Sequence, residues 1–183
     1  MACGTGGRPM KVVVLTGPES TGKSWLADRL RRRFGGLLVD EYVRHYIERT
    51  QRDTTLADIP AIARGQLARE DTARAAAPHL LILDTHLLSN MLWSRTLFGD
   101  CPDWLEVELQ AREYHQHLLL SPAGAEWHAD GQRCQPELDD RQRFYEQCRD
   151  WLRQHRQPFV EVAGNWAERE RQAIAWTRAL LDG

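Results

Sequence analysis

A chain of 183 residues with a formal net charge of −2 and 42% hydrophobic residues is long enough for one domain with its own core. Its near-neutral balance argues against a duplex nucleic-acid binder, and no apolar run approaches membrane-spanning length, so neither a nucleic-acid nor a membrane partner is expected. Cys3, Cys101, Cys134 and Cys148 share no paired spacing and read as reduced thiols of a cytoplasmic protein, neither a zinc site nor a disulfide frame.

Met1–Pro9 is Gly-rich and lacks the apolar stretch of a signal peptide. It reads as a loose leader before a single domain at 10–183. Val12–Thr16 is an apolar run that predicts a strand. It enters Gly17-Pro18-Glu19-Ser20-Thr21-Gly22-Lys23-Ser24, which fits G-x-x-x-x-G-K-[ST], and Leu26, Leu30 and Phe34 then follow at helical spacing. Gly17 and Gly22 let the backbone turn its N–H groups inward around phosphate oxygens. Lys23 adds a point charge for the β- and γ-phosphates, and the Ser24 hydroxyl is a Mg²⁺ ligand. Glu19, Ser20, Thr21 and Trp25 join the nucleotide side.

Four further runs predict strands: Leu37–Val39, Leu80–Asp84, His117–Leu120 and Phe159–Val162. Most lack polar alternation, as expected for parallel strands buried on both faces. Helical patterns separate them: a stripe of Tyr42, Val43, Tyr46 and Ile47, then Leu56–Ala77, Leu87–Phe98, Asp103–Tyr114, Asp139–His155 and Trp166–Leu181. The alternation predicts an α/β P-loop NTPase fold, a doubly wound parallel five-stranded sheet with helices on both faces. Residues 121–138 form the one long irregular stretch and read as a lid loop.

In such a sheet the ligand crevice lies beyond the carboxyl ends of the strands, so the residue after each strand is a site candidate. Asp84, closing Leu80-Leu81-Ile82-Leu83, is placed to hold Mg²⁺; a helix cap is the competing role, and Thr85 is the other candidate for it. Asp40 and Glu41 follow the second strand, where a general base would take the proton of an attacking hydroxyl. Adjacent residues point to different sides, so one faces the site, and Glu41 is preferred. Arg44, one turn on, pairs with Glu41 or reaches substrate. Arg133, Arg141 and Arg143 on and after the loop are candidates to neutralise charge on the transferred phosphoryl, or else belong to a solvated face. Asp130-Gly131 marks a turn, with Asp130 available to a sugar hydroxyl. Trp93 and Trp127 are candidate ligand contacts, and Asn165, after the last strand, is assigned to the nucleotide. The histidines show no metal spacing.

These residues resemble the ribosylnicotinamide kinase domain of NadR-type NAD-biosynthesis proteins. The likeness runs through the phosphate loop, Glu41-Tyr42-Val43-Arg44, Ile62-Ala63-Arg64-Gly65-Gln66 with Glu70, and Asp84-Thr85. It continues through Trp93-Ser94, Phe98-Gly99, Trp127, Asp130-Gly131 and Arg133. It implies transfer of the γ-phosphate of ATP, with Mg²⁺, to the 5′-hydroxyl of nicotinamide riboside, giving nicotinamide mononucleotide. It also implies that Glu41, Arg44, Asp84, Asp130 and Arg133 contact substrate and metal. Three departures stand out. There is no H-x-G-H for an adenylyltransferase, so kinase activity alone is expected. His86 stands where relatives usually carry Asp. Val39-Asp40 precedes Glu41 where relatives place an aromatic to stack on the nicotinamide ring, an attraction that Asp40 can replace by charge. Another nucleoside as acceptor, GTP in place of ATP, an oligomer, and a regulatory ATP-binding module all remain open on the sequence.

Overall fold

The computed structural model describes residues 9–183; the leader expected at Met1–Pro9 lies outside them except for Pro9. Five parallel strands, β1 (Lys11–Thr16), β2 (Leu37–Val39), β3 (Leu80–Asp84), β4 (Gln116–Leu120) and β5 (Phe159–Val162), form one sheet in the order β2-β3-β1-β4-β5. The register places Val12 beside Leu81, Val14 beside Leu83, and Leu15 beside both Asp84 and Leu118. All four central residues of β1 are fully buried, because both sheet faces are covered. Val12, Val14, Leu81 and Leu83 point into one core, and Val13, Leu15, Leu80 and Ile82 into the other, as the two-residue strand period requires.

Helices α1 (Lys23–Phe34) and α7 (Trp166–Asp182) cover the second of these faces with Leu26, Leu30 and Ala173. Helices α3 (Ile59–Ala75), α4 (Leu87–Phe98), α5 (Trp104–Gln110) and α6 (Leu138–Gln154) cover the first, and α2 (Tyr42–Thr50) packs on α3. The doubly wound five-stranded prediction therefore holds.

Element ends differ where side chains intervene. The helix expected at Leu56–Ala77 begins as a 3₁₀ turn, Leu56–Asp58. There the Asp58 carboxylate accepts from the Thr55 amide at 2.8 Å and ties in Tyr46 and Arg52, so α3 starts only at Ile59. The helix expected at Asp103–Tyr114 stops at Gln110, and Arg112 turns back to pair with Asp71 and Glu70. Residues 121–137 carry no helix or strand, as expected of the lid loop.

Candidate active site

The phosphate loop is shaped by backbone that only glycine tolerates at two points. Gly17 has φ +130°, and a Cβ there would stand 2.6 Å from the Leu120 carbonyl oxygen; Gly22 has φ +86° and lies under the Trp166 ring. Thr21, fully buried, donates its hydroxyl to the Pro18 carbonyl at 2.9 Å, so its contribution is to hold the loop, not to reach a ligand with its side chain. Lys23 Nζ donates to the Gly17 and Pro18 carbonyls at 3.1 and 2.7 Å, arching over the nest where a terminal phosphate is bound in loops of this shape.

A cavity of about 260 Å³ runs from this loop to α2 and α4, and its walls include Lys23, Ser24, Glu41, Arg44, Trp93 and Arg133. Glu41 enters it because the Tyr42 amide is anchored: it donates to Gln66 Oε1 at 2.8 Å, and the Tyr42 ring lies against Gly65 with no room for a Cβ. These contacts give Gly65-Gln66 a direct part in placing Glu41-Tyr42. Asp40, by contrast, is exposed and outside the cavity, so its expected catalytic role is corrected: the adjacent position on an extended segment faces the other way.

Arg44 binds Glu41 Oε2 through Nε at 3.1 Å and Asp130 Oδ2 through Nη1 at 2.8 Å, linking α2 to the lid. Although burial pushes the Asp130 carboxyl up, its hydrogen bonds from Arg44 and the Gln132 amide hold it below the usual range. Arg133 Nε lies 3.2 Å from the same carboxylate, and its Nη1 donates to the His128 carbonyl at 2.6 Å.

Asp84 is buried at the tip of β3 with Oδ1 lacking any hydrogen-bond partner. Burial first and the Glu41 carboxylate second push its carboxyl up to about 6, against the pull of the Ser24 hydroxyl, Lys23 and Arg44. Glu41 and Asp84 thus share one edge with Ser24. Thr85 follows with φ +70°, a left-handed conformation that costs a β-branched residue about 1–3 kcal/mol. Its hydroxyl is unpaired, so it is not the helix cap; the cap position is His86.

Four other expectations change. Trp127 donates Nε1 to Glu19 at 2.6 Å and is not on the cavity wall; it fastens the lid. Arg141 is only 4% exposed and donates to the Ala125 carbonyl at 3.1 Å, so it braces the root of the lid and does not sweep over the nucleotide. Arg143 is exposed and pairs with Asp140. Asn165 caps α7 in a box with Glu168, accepting from its amide at 3.0 Å, and does not line the cavity. Trp93 does line it, with its ring 4.7 Å from that of Phe144, and Trp25 meets Trp166 edge to face at its other end.

Ser89 and Asn90, polar groups at the start of apolar α4, also line the cavity although no motif marks them, with Ser89 Oγ and Asn90 Nδ2 unpaired. Two small polar residues on a helix otherwise rich in leucine were the available signal. Arg169, fully buried and marked by no motif either, donates to the Gly164, Ser121 and Ala123 carbonyls at 2.7–2.8 Å and pins the lid root. His86 turns away from the site to meet His117, Nε2 to Nε2 at 3.3 Å, with Tyr114 edge-on.

A parallel sheet of this order with the phosphate loop after its central strand defines a P-loop NTPase fold. The family model described as AAA domain matches residues 12–169, and the chain belongs to that family. Among solved structures it is similar to a NadR protein in complex with NR, with TM-score 0.75 and 22% identity over 95% of this chain and 52% of that one. A NadR protein in complex with NAD and AMP-PNP gives 0.72 and 19%, over 95% and 50%. Thymidylate kinase from Ehrlichia chaffeensis gives 0.63 and 12%, over 94% and 99%. The chain spans about half the length of the NadR chains it matches. No helix among the described residues is long and apolar enough to cross a membrane.

Proposed function

We propose that residues 10–183 form one kinase unit that moves the terminal phosphoryl group of ATP to the 5′-hydroxyl of a nucleoside. Nicotinamide riboside is the acceptor in this reading, and nicotinamide mononucleotide the product, in a cytoplasmic step of NAD biosynthesis. The observation that carries it is the single cavity whose walls include both the phosphate-loop residues Lys23 and Ser24 and the acceptor-side residues Glu41 and Trp93. A carboxylate on that wall activates an attacking hydroxyl, of water or of an acceptor; the apolar lining beside it, Trp93 with Val43, Ile47, Ile59 and Ile62, is what a bound acceptor needs and hydrolysis alone does not.

The Glu41 oxygen not held by Arg44 accepts the hydroxyl proton as the nucleoside oxygen attacks the γ-phosphorus. The bond from that phosphorus to the β-bridging oxygen breaks, and ADP leaves with the electron pair. Lys23 and Arg133 stand where charge grows on the transferred group. Ser24 and Asp84 fit Mg²⁺: one unpaired carboxylate oxygen beside a hydroxyl suits an ion that takes few protein ligands and completes its shell with water and phosphate. An ion held there by Ser24 and Asp84 would supply positive charge against the charge that develops during transfer. The resemblance to NadR-type kinases supports nicotinamide riboside, and Trp93 offers the ring face that a cationic pyridinium attracts.

A different nucleoside or nucleoside monophosphate is the second reading. It is favoured by Val39-Asp40 in place of an aromatic before Glu41 and by the aliphatic Val43, Ile47, Ile59 and Ile62 on the cavity wall. The test is ADP release from ATP and Mg²⁺ across a panel of nucleosides and nucleoside monophosphates, with Lys23→Ala as the blank. Faster release with nicotinamide riboside supports the first reading, and with another acceptor the second. Release that no acceptor accelerates rejects both in favour of a regulatory ATPase.

A further inference from the structure

Glu19 occupies a variable position of the phosphate loop, and both oxygens of its carboxylate are taken up by donors from the lid. Oε1 accepts from Trp127 Nε1 at 2.6 Å and from the Gln135 amide at 2.7 Å, and Oε2 accepts from the Cys134 amide at 3.2 Å. Next to it, Ser20 Oγ accepts from the His128 amide at 3.3 Å. These four lid donors all come from residues 127–135, more than a hundred positions away in sequence. They bracket Arg133, which lines the cavity with Lys23. The root of the lid is fixed separately by Arg141 and Arg169. The outer segment is otherwise tied down by Arg44 on Asp130.

We infer that Glu19 is a positioning residue: by gripping the amides of Cys134 and Gln135 it holds Arg133 over the phosphate loop, so that the loop which binds the nucleotide also sets the lid that completes the site. The physical case is the donor set. The carboxylate accepts three hydrogen bonds, two of them short at 2.6 and 2.7 Å, and two of the donors are backbone groups directly after Arg133. The guanidinium therefore has its backbone fixed from the loop side and its head fixed by Asp130 and the His128 carbonyl. Release of the first anchor lets the arginine drift by the ångström or so that costs a phosphoryl-transfer site about 100-fold. The inference rests on the kinase reading for its catalytic consequence, but not for the contact itself.

Two measurements test it. Hydrogen exchange of the full chain reads the amides of Cys134 and Gln135: protection is expected to fall at least tenfold in Glu19→Ala. In Glu19→Gln one oxygen remains to accept, and protection falls less. Unchanged exchange in Glu19→Ala overturns the latch. Steady-state kinetics reads the coupling to Arg133. Glu19→Ala is expected to lower kcat roughly 10- to 100-fold, with Glu19→Gln between it and wild type. In an Arg133→Ala background the same Glu19 change should cost under about threefold, because the group it positions is gone. Full multiplication of the two losses means that Glu19 does not act through Arg133, and overturns the inference. Should the wild-type chain show no acceptor-dependent turnover, the proposed function falls, and the exchange measurement judges the latch by itself.

Discussion

Replacement of Glu41 by glutamine probes the chemistry with the least disturbance to shape. In the structure Arg44 Nε occupies Oε2 at 3.1 Å, and Oε1 is the oxygen left for the acceptor hydroxyl. A glutamine keeps the Arg44 contact only by offering its carbonyl oxygen to that donor, which turns its NH₂ toward the hydroxyl. The position then changes from proton acceptor to proton donor. Loss of a general base costs roughly 10²–10⁴ in rate, or about 2.7–5.4 kcal/mol of barrier. The loss should fall on kcat with saturating nucleoside. The KM for ATP should stay within about twofold, since the phosphate loop is built from backbone and Lys23. Asp40→Asn serves as the control and should stay within about threefold of wild type, because Asp40 is exposed and faces away. Coupled ADP detection measures all three. A Glu41→Gln enzyme within a few-fold of wild type, or an Asp40→Asn enzyme as damaged as Glu41→Gln, refutes the assignment.

Trp93→Ala should raise the KM for the nucleoside roughly 5- to 100-fold while leaving that for ATP nearly unchanged, since one stacked base is worth about 1–3 kcal/mol; the two KM values measured side by side check this. Removal of Glu41 charge also acts on its neighbour: Asp84 should titrate lower in Glu41→Gln, because the Glu41 carboxylate is one of the groups pushing it up, and an NMR or infrared titration of the carboxyl reads the direction. The buried His117 is held down to about 4 by burial, so it stays neutral when folded while the unfolded chain takes up a proton near 6.5. Its contribution is therefore fully present above about pH 6.5 and is lost as pH falls from there toward 4, about 2 kcal/mol by pH 5. Urea unfolding at pH 7 and pH 5 should show that loss, and His117→Phe should reduce it, leaving the part owed to His86, which burial also holds well below its usual range.

Much of this fold was legible because its signals are local. Leu80-Leu81-Ile82-Leu83 and the β1 run announce two-sided burial, and even the three-residue β2 stood out between Gly36 and Asp40. The gathering of Ser24, Glu41 and Asp84 was legible from topology, because parallel strands deliver their carboxyl ends to one rim. What could not be read were roles set by distant partners. Arg141 and Arg169 look like any exposed helix charge in sequence. Their burial depends on the orphan carbonyls of the lid root, which need donors once covered. Trp127 has the composition of a ligand-stacking residue, and only the position of Glu19 across the loop turns it into a fastener. Asn165 sits on the correct rim, but its side chain is spent on capping α7. His86 reads as a substituted metal-side carboxylate until its ring is found against His117 in the core.

The central claim is that the phosphate loop and the Glu41 wall serve one reaction in one cavity. A crystal structure with a non-hydrolysable ATP analogue, Mg²⁺ and nicotinamide riboside tests it most directly. The triphosphate should lie against the amides of Gly17 to Ser24 and the nucleoside against Trp93. Its 5′-oxygen should lie about 3 Å from Glu41 and in line with the terminal phosphorus. A nucleoside bound elsewhere, or a 5′-oxygen turned away from Glu41 with the triphosphate in place, would contradict it.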